Sequence, residues 1–74
     1  MSGSALQRLV HMANQIAANC GEHRDPAAAA QRTRDHLQRF WTPDMRRQLR
    51  QHAESGGDGL SPAVWMSLED QTNE

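Results

Sequence analysis

Cys20 and His23 stand three positions apart, a spacing at which a thiolate and an imidazole can share a metal ion. No second pair follows at the distance a zinc site needs, so the two supply at most half a ligand set and read as a half-buried Cys at a helix end. His11, His36 and His52 lie in separate segments, with no Ser, Asp or Glu arranged beside them as a proton relay. The stretch Gly56-Gly-Asp-Gly59 is Gly-rich, but it follows a helical segment and lacks the Lys and spacing of a phosphate loop. It reads as a cap and a turn. No residue is therefore expected to be catalytic, cofactor-binding or metal-ligating, and a chain of 74 residues offers little concavity to house such a site.

Binding chemistry is denser. His36 to Leu49, HLQRFWTPDMRRQL, holds the only Phe, one of two Trp and three of eight Arg. Trp and Arg are the types enriched at the energetic centres of protein interfaces. A chain this small has few places to bury Phe40, Trp41, Met45 and Trp65 together, so an outward aromatic among Arg residues is expected to form a docking patch. The plainer alternative makes Phe40 and Trp41 core, the Arg residues solvated, and Pro43 a helix start.

The elements that must position these residues are helical. Ser4-Ala-Leu-Gln7 fits a capping box, and Leu6, Leu9, Val10, Ala13, Ile16, Ala17 and Cys20 then follow at steps of three and four, giving one amphipathic helix ending near Gly21. Asp25-Pro26 supplies a cap and a first-turn Pro to a second helix. Its inner face is expected to be Ala30, Thr33, Leu37 and Phe40, with Ala29 and Trp41 beside them. Thr42-Pro43 repeats the start signal, with Asp44 complementing the dipole. Met45, Leu49 and Ala53 give the third helix its apolar seam, flanked by Arg46, Arg47 and Arg50. Ser55 to Gly59 ends it. Ser61-Pro62 opens a last short helix bearing Val64, Trp65 and Leu68, and the polar tail from Glu69 to Glu74 is expected to fray. The predicted architecture is all-α: one domain spanning 1–74, ordered over about 4–68, a small bundle of three to four short helices. Two turns are too short to stand alone, so the last helix is expected to pack on the chain itself or, preferentially, on a partner.

Composition narrows the function classes. Beyond the initiator Met and ten Ala there are fifteen larger apolar residues, so the core should be thin. One Cys cannot close an internal disulfide, and with no signal-like apolar run at the N-terminus a reducing cytoplasm is expected. No stretch approaches the roughly 20 apolar residues of a membrane helix. The net charge is -1 and every basic residue is Arg, which weighs against a chain held to nucleic acid mainly by phosphate charge. The absence of Lys suits bidentate, partly buried ion pairs, and it equally suits a genomic bias toward Arg and Ala codons. Paired helices with an Arg-rich second member also fit a DNA-binding helix-turn-helix, a distant alternative given Pro43 at the junction.

Three runs carry a family resemblance: Leu9-Val-His-Met-Ala-Asn-Gln-Ile16, His36-Leu-Gln-Arg-Phe-Trp-Thr-Pro-Asp-Met-Arg46 with Leu49, and Gly59-Leu-Ser-Pro-Ala-Val64. Together the chain resembles the delta subunit of NAD-dependent formate dehydrogenases over about residues 6 to 68. The resemblance implies an accessory subunit of a cytoplasmic complex that oxidises formate to carbon dioxide and reduces NAD. It implies an alpha subunit with a molybdenum or tungsten bis-pyranopterin guanine dinucleotide and iron-sulfur clusters, a beta subunit with FMN and the NAD site, and a gamma subunit with a further iron-sulfur cluster. The delta chain would hold no cofactor itself. It would stabilise the complex, or assist cofactor insertion or retention in alpha, or act as a transient chaperone absent from the mature enzyme. Toward alpha, Phe40, Trp41 and Trp65 are expected to supply buried area, with Pro43 and Met45 in the same block. Arg46, Arg47 and Arg50 would meet carboxylates, and Asn14 and Gln15 would hydrogen-bond across the same surface.

Overall fold

The computed structural model describes residues 3–71, with side chains from 5 to 69. Four helices follow in order: α1 (Gly3–Asn19), α2 (Pro26–Phe40), α3 (Pro43–Glu54) and α4 (Pro62–Gln71). Among the described residues there is no strand, and no helix is long and apolar enough to cross a membrane.

The starts of α2 and α3 are built by the local signals. Asp25 accepts a hydrogen bond from the Ala28 N–H at 3.2 Å and Thr42 Oγ1 accepts one from Met45 N–H at 3.2 Å, each followed by Pro at the first position. These satisfy donors that every helix start leaves unpaired. The ends of α1 and α3 close alike. Glu22 N–H donates to Ala17 O and Gly21 N–H to Ala18 O; Gly57 N–H donates to His52 O and Gly56 N–H to Ala53 O. Both are Schellman closures, which favour Gly because the chain turns through left-handed backbone.

Two boundaries differ from expectation. The helical backbone of α1 already includes Gly3, so Ser4 lies inside the first turn instead of ahead of it. At the other end α4 continues through Glu69 to Gln71, within the stretch expected to fray, while 72–74 lie outside the described residues.

The start of α4 differs more. Pro62 opens it as expected, but Ser61 Oγ is buried without a hydrogen-bond partner. The acceptor that serves this helix start is Glu22, whose Oε2 lies 2.8 Å from the Ala63 N–H. Asn14 adds two bonds: its Oδ1 accepts from Ser61 N–H at 3.0 Å and its Nδ2 donates to Gly59 O at 2.8 Å.

Within the chain α4 finds cover. Its most extensive packing is against α2, and Ala63, Val64, Ser67 and Leu68 are buried within the chain. The interior is also fuller than the count of large side chains implied. Leu9, Leu37, Trp41, Leu49, Val64 and Leu68 share one core with Ala13, Ala17, Ala29, Ala30 and Ala63. Ala on facing helices shortens the approach of their axes, so little side-chain volume is needed to fill the space. The radius of gyration, 11.2 Å, matches the about 11 Å of a compact chain this long.

Phe40 departs from its assigned place on the inner face of α2. Ala29, Ala30, Thr33 and Leu37 are buried as expected, but Phe40 is 69% exposed. Periodicity stops where the helix stops: Trp41 leaves α2 in an extended conformation and its indole, only 6% exposed, takes the core position at the corner.

Two substitutions test this packing. Thr33 Oγ1 is fully enclosed and has no hydrogen-bond partner, so Thr33→Val, similar in shape and helix propensity, should raise stability by about 1 kcal/mol in urea melts. Gly57 has φ +66, and a Cβ there would overlap Cζ2 of Trp65. Gly57→Ala should cost about 2–4 kcal/mol, combining left-handed strain with overpacking. Gly21→Ala, equally left-handed with φ +89 but with open space around it, should cost only the strain, and a smaller shift for Gly57→Ala than for Gly21→Ala would refute the close packing of Trp65.

Candidate docking surface

The α2–α3 corner arises because two neighbouring aromatic residues part company. Trp41 turns inward as the cap residue of α2, and Phe40, the last helical residue, lies back on the His36 ring one turn earlier. The ring centroids are 4.7 Å apart with planes tilted by 46°, a geometry that favours aromatic contact and limits where the phenyl can go. The sequence reading did not include His36 in the surface, although its spacing of four from Phe40 is the signal that a helix brings the two together.

The arginines of the corner do unequal work. Arg46 Nη1 donates to Gln38 O at 3.1 Å, meeting a carbonyl in the last turn of α2 that has no partner in its own helix. It therefore ties α3 to α2. Arg47 Nη1 lies 3.3 Å from Asp44 Oδ1, one turn away, with both side chains more than half exposed. Gln48 Nε2 donates to the other oxygen of Asp44 at 2.9 Å. Arg39, also absent from the sequence-based set, is exposed in the last turn of α2.

The ten residues expected to form one surface do not come together. Phe40, Pro43 and Arg47 are exposed at the corner, with Arg46 half-buried beneath them. Trp41 is interior, and Met45 is half-buried against the core. Arg50 and Trp65 meet elsewhere, along a depression of about 120 Å³ between α3 and α4 that also involves Ala53, Glu54, Leu68 and Glu69. Asn14 has both amide atoms committed to the loop before α4, while Gln15 is exposed on α1.

A larger depression of about 530 Å³ lies at the α1–α2 turn, where Cys20 and His23 share a wall with Asp25 and Arg32. Its polar groups serve the fold: Asp25 caps α2 and Arg32 Nη1 donates to Cys20 O at 3.2 Å. Among the described residues no group of three or more His, Cys, Asp or Glu is placed to hold a metal ion.

Comparison with known families gives a match over most of the chain. The family described as NADH-dependent formate dehydrogenase delta subunit FdsD covers residues 8–68. No curated protein and no solved structure matches the chain.

The two corner arginines should separate on mutation. Arg46→Ala, which leaves a carbonyl of α2 without its donor, should lower stability by about 1 kcal/mol. Arg47→Ala, which breaks an exposed pair, should change it by less than about 0.5 kcal/mol. Equal losses in urea melts would mean that Arg46 does not tie the helices together.

Proposed function

Because this chain belongs to the delta subunit family of NADH-dependent formate dehydrogenases, we propose that it is a non-catalytic accessory subunit of such a complex. The observation that carries this reading is the extent of the match: residues 8–68 take in α2 and α3 whole and most of α1 and α4, so the likeness spans the folded body. The partner is the alpha subunit, which would hold the molybdenum or tungsten bis-pyranopterin guanine dinucleotide, in a cytoplasmic assembly with FMN- and iron-sulfur-bearing beta and gamma subunits.

The mechanism is linkage. A chain that binds only the folded, cofactor-loaded alpha subunit stabilises that state by mass action, by about 2.7 kcal/mol at a concentration 100 times Kd. Loss or late arrival of the cofactor is opposed to the same degree. The delta chain thus promotes cofactor insertion or retention without touching the reacting atoms.

The test is to express the complex with and without this chain and to measure pterin and metal per alpha subunit, NAD reduction, and the composition of the active peak on size exclusion. The expected result is a small chain within the active peak, and lower cofactor occupancy when it is omitted. A small chain missing from the active peak, with occupancy still dependent on it, would make it a transient assembly chaperone. Unchanged occupancy and activity on omission would reject the proposal.

A further inference from the structure

The charges of the chain are divided along its length. Residues 32 to 50, the end of α2 and most of α3, hold six Arg and two Asp, a net +4. The remainder holds two Arg and seven acidic residues, a net -5. Near the middle of the positive segment stands Phe40, 69% exposed, while among the described residues the other large apolar side chains are enclosed or half-enclosed, except Met12 at 36%.

From this placement we infer that Phe40, held by His36 and flanked by Arg39, is the anchor by which the chain docks into an apolar pocket edged with carboxylates on a larger subunit of the formate dehydrogenase complex. The inference rests on the accessory-subunit reading and adds the surface and the chemistry of its counterpart. A phenyl ring already restrained against its neighbour loses little freedom on insertion, and an aromatic centre within a charged rim is the usual anatomy of a tight interface. The positive segment selects an acidic rim and speeds the encounter.

Other occupants fit less well. Nucleic acid does so because the chain carries a net charge of -1, and a phosphate backbone running beyond the positive segment would meet the acidic remainder. A second copy could offer the depression beside Trp65, yet Arg50 lines it together with Glu54 and Glu69, so the carboxylates there already have a cation beside them.

The experiment is to titrate the full chain, by surface-based kinetics, onto complex expressed without it. Wild type, Phe40→Ala, Arg39→Glu and Met12→Ala would be compared after circular dichroism melts have checked each fold. Phe40→Ala should melt as wild type does and bind at least 30-fold more weakly, mainly through faster dissociation. Arg39→Glu should slow association and flatten its salt dependence, and Met12→Ala should bind as wild type. If Phe40→Ala melts early, Arg39→Glu alone decides. Wild-type binding with Phe40→Ala and Arg39→Glu both within threefold of it would overturn the surface and leave the subunit reading standing. No binding by wild type would remove the subunit reading, and this surface with it. A self-associated chain that Phe40→Ala makes monomeric, or salt-sensitive retention on duplex DNA that depends on Phe40, would overturn the inference in favour of those occupants.

Discussion

The bundle depends on how α4 is attached. This helix has ten residues, fewer than an isolated helix needs in water, and the hydroxyl just before it forms no cap. Three hydrogen bonds from two residues of the first third of the chain compensate: Asn14 to Gly59 O and Ser61 N–H, and Glu22 to the Ala63 N–H. At about 1 kcal/mol each they amount to roughly 3 kcal/mol, a large fraction of the 4–11 kcal/mol that a domain of this size possesses in total. They also fix register. With Ser61 and Ala63 held, Val64, Ser67 and Leu68 fall against α2, and Trp65 falls across Gly57.

That attachment explains why the chain has an interior despite its meagre stock of large apolar residues. Once α4 is held against α2, Ala63 joins Ala29 and Ala30 in one buried cluster, and such small side chains let helices approach closely. The cost is little tolerance. A core built from backbone proximity has few flexible side chains to absorb an added group, so Gly57 under an indole is a point of rigidity, and the buried Thr33 hydroxyl is a small standing penalty.

What the sequence disclosed follows the range of each interaction. Caps reaching three residues, Asp25 to Ala28 and Thr42 to Met45, were legible because cause and effect sit in one turn. The all-α class and the inner positions Ala29, Ala30, Thr33 and Leu37 were legible because the helical period persists across them. Glu22 was not, since it serves a helix start 41 residues away and nothing local marks it. Asn14 was read as a surface donor for the same reason. Phe40 and Trp41 were misplaced in part because they straddle a helix end, where the period loses its meaning and the corner has room for one aromatic, taken by the larger. The candidate surface was therefore legible as a neighbourhood, His36 to Leu49, but not as a set of outward side chains.

These features bear on how such a chain would bind. A body whose helices are capped, whose α4 is clamped and whose two indoles are already largely housed leaves little to order on association, so binding would spend little of its energy on the subunit. Binding strength can then come from few contacts, and selectivity from the separation of charge between the α2–α3 segment and the rest. Such a molecule would bind as a preformed body, and would favour a partner whose own surface has reached its final form. That is the property linkage requires, because a ligand stabilises the mature state only to the extent that it binds that state better than the states preceding it.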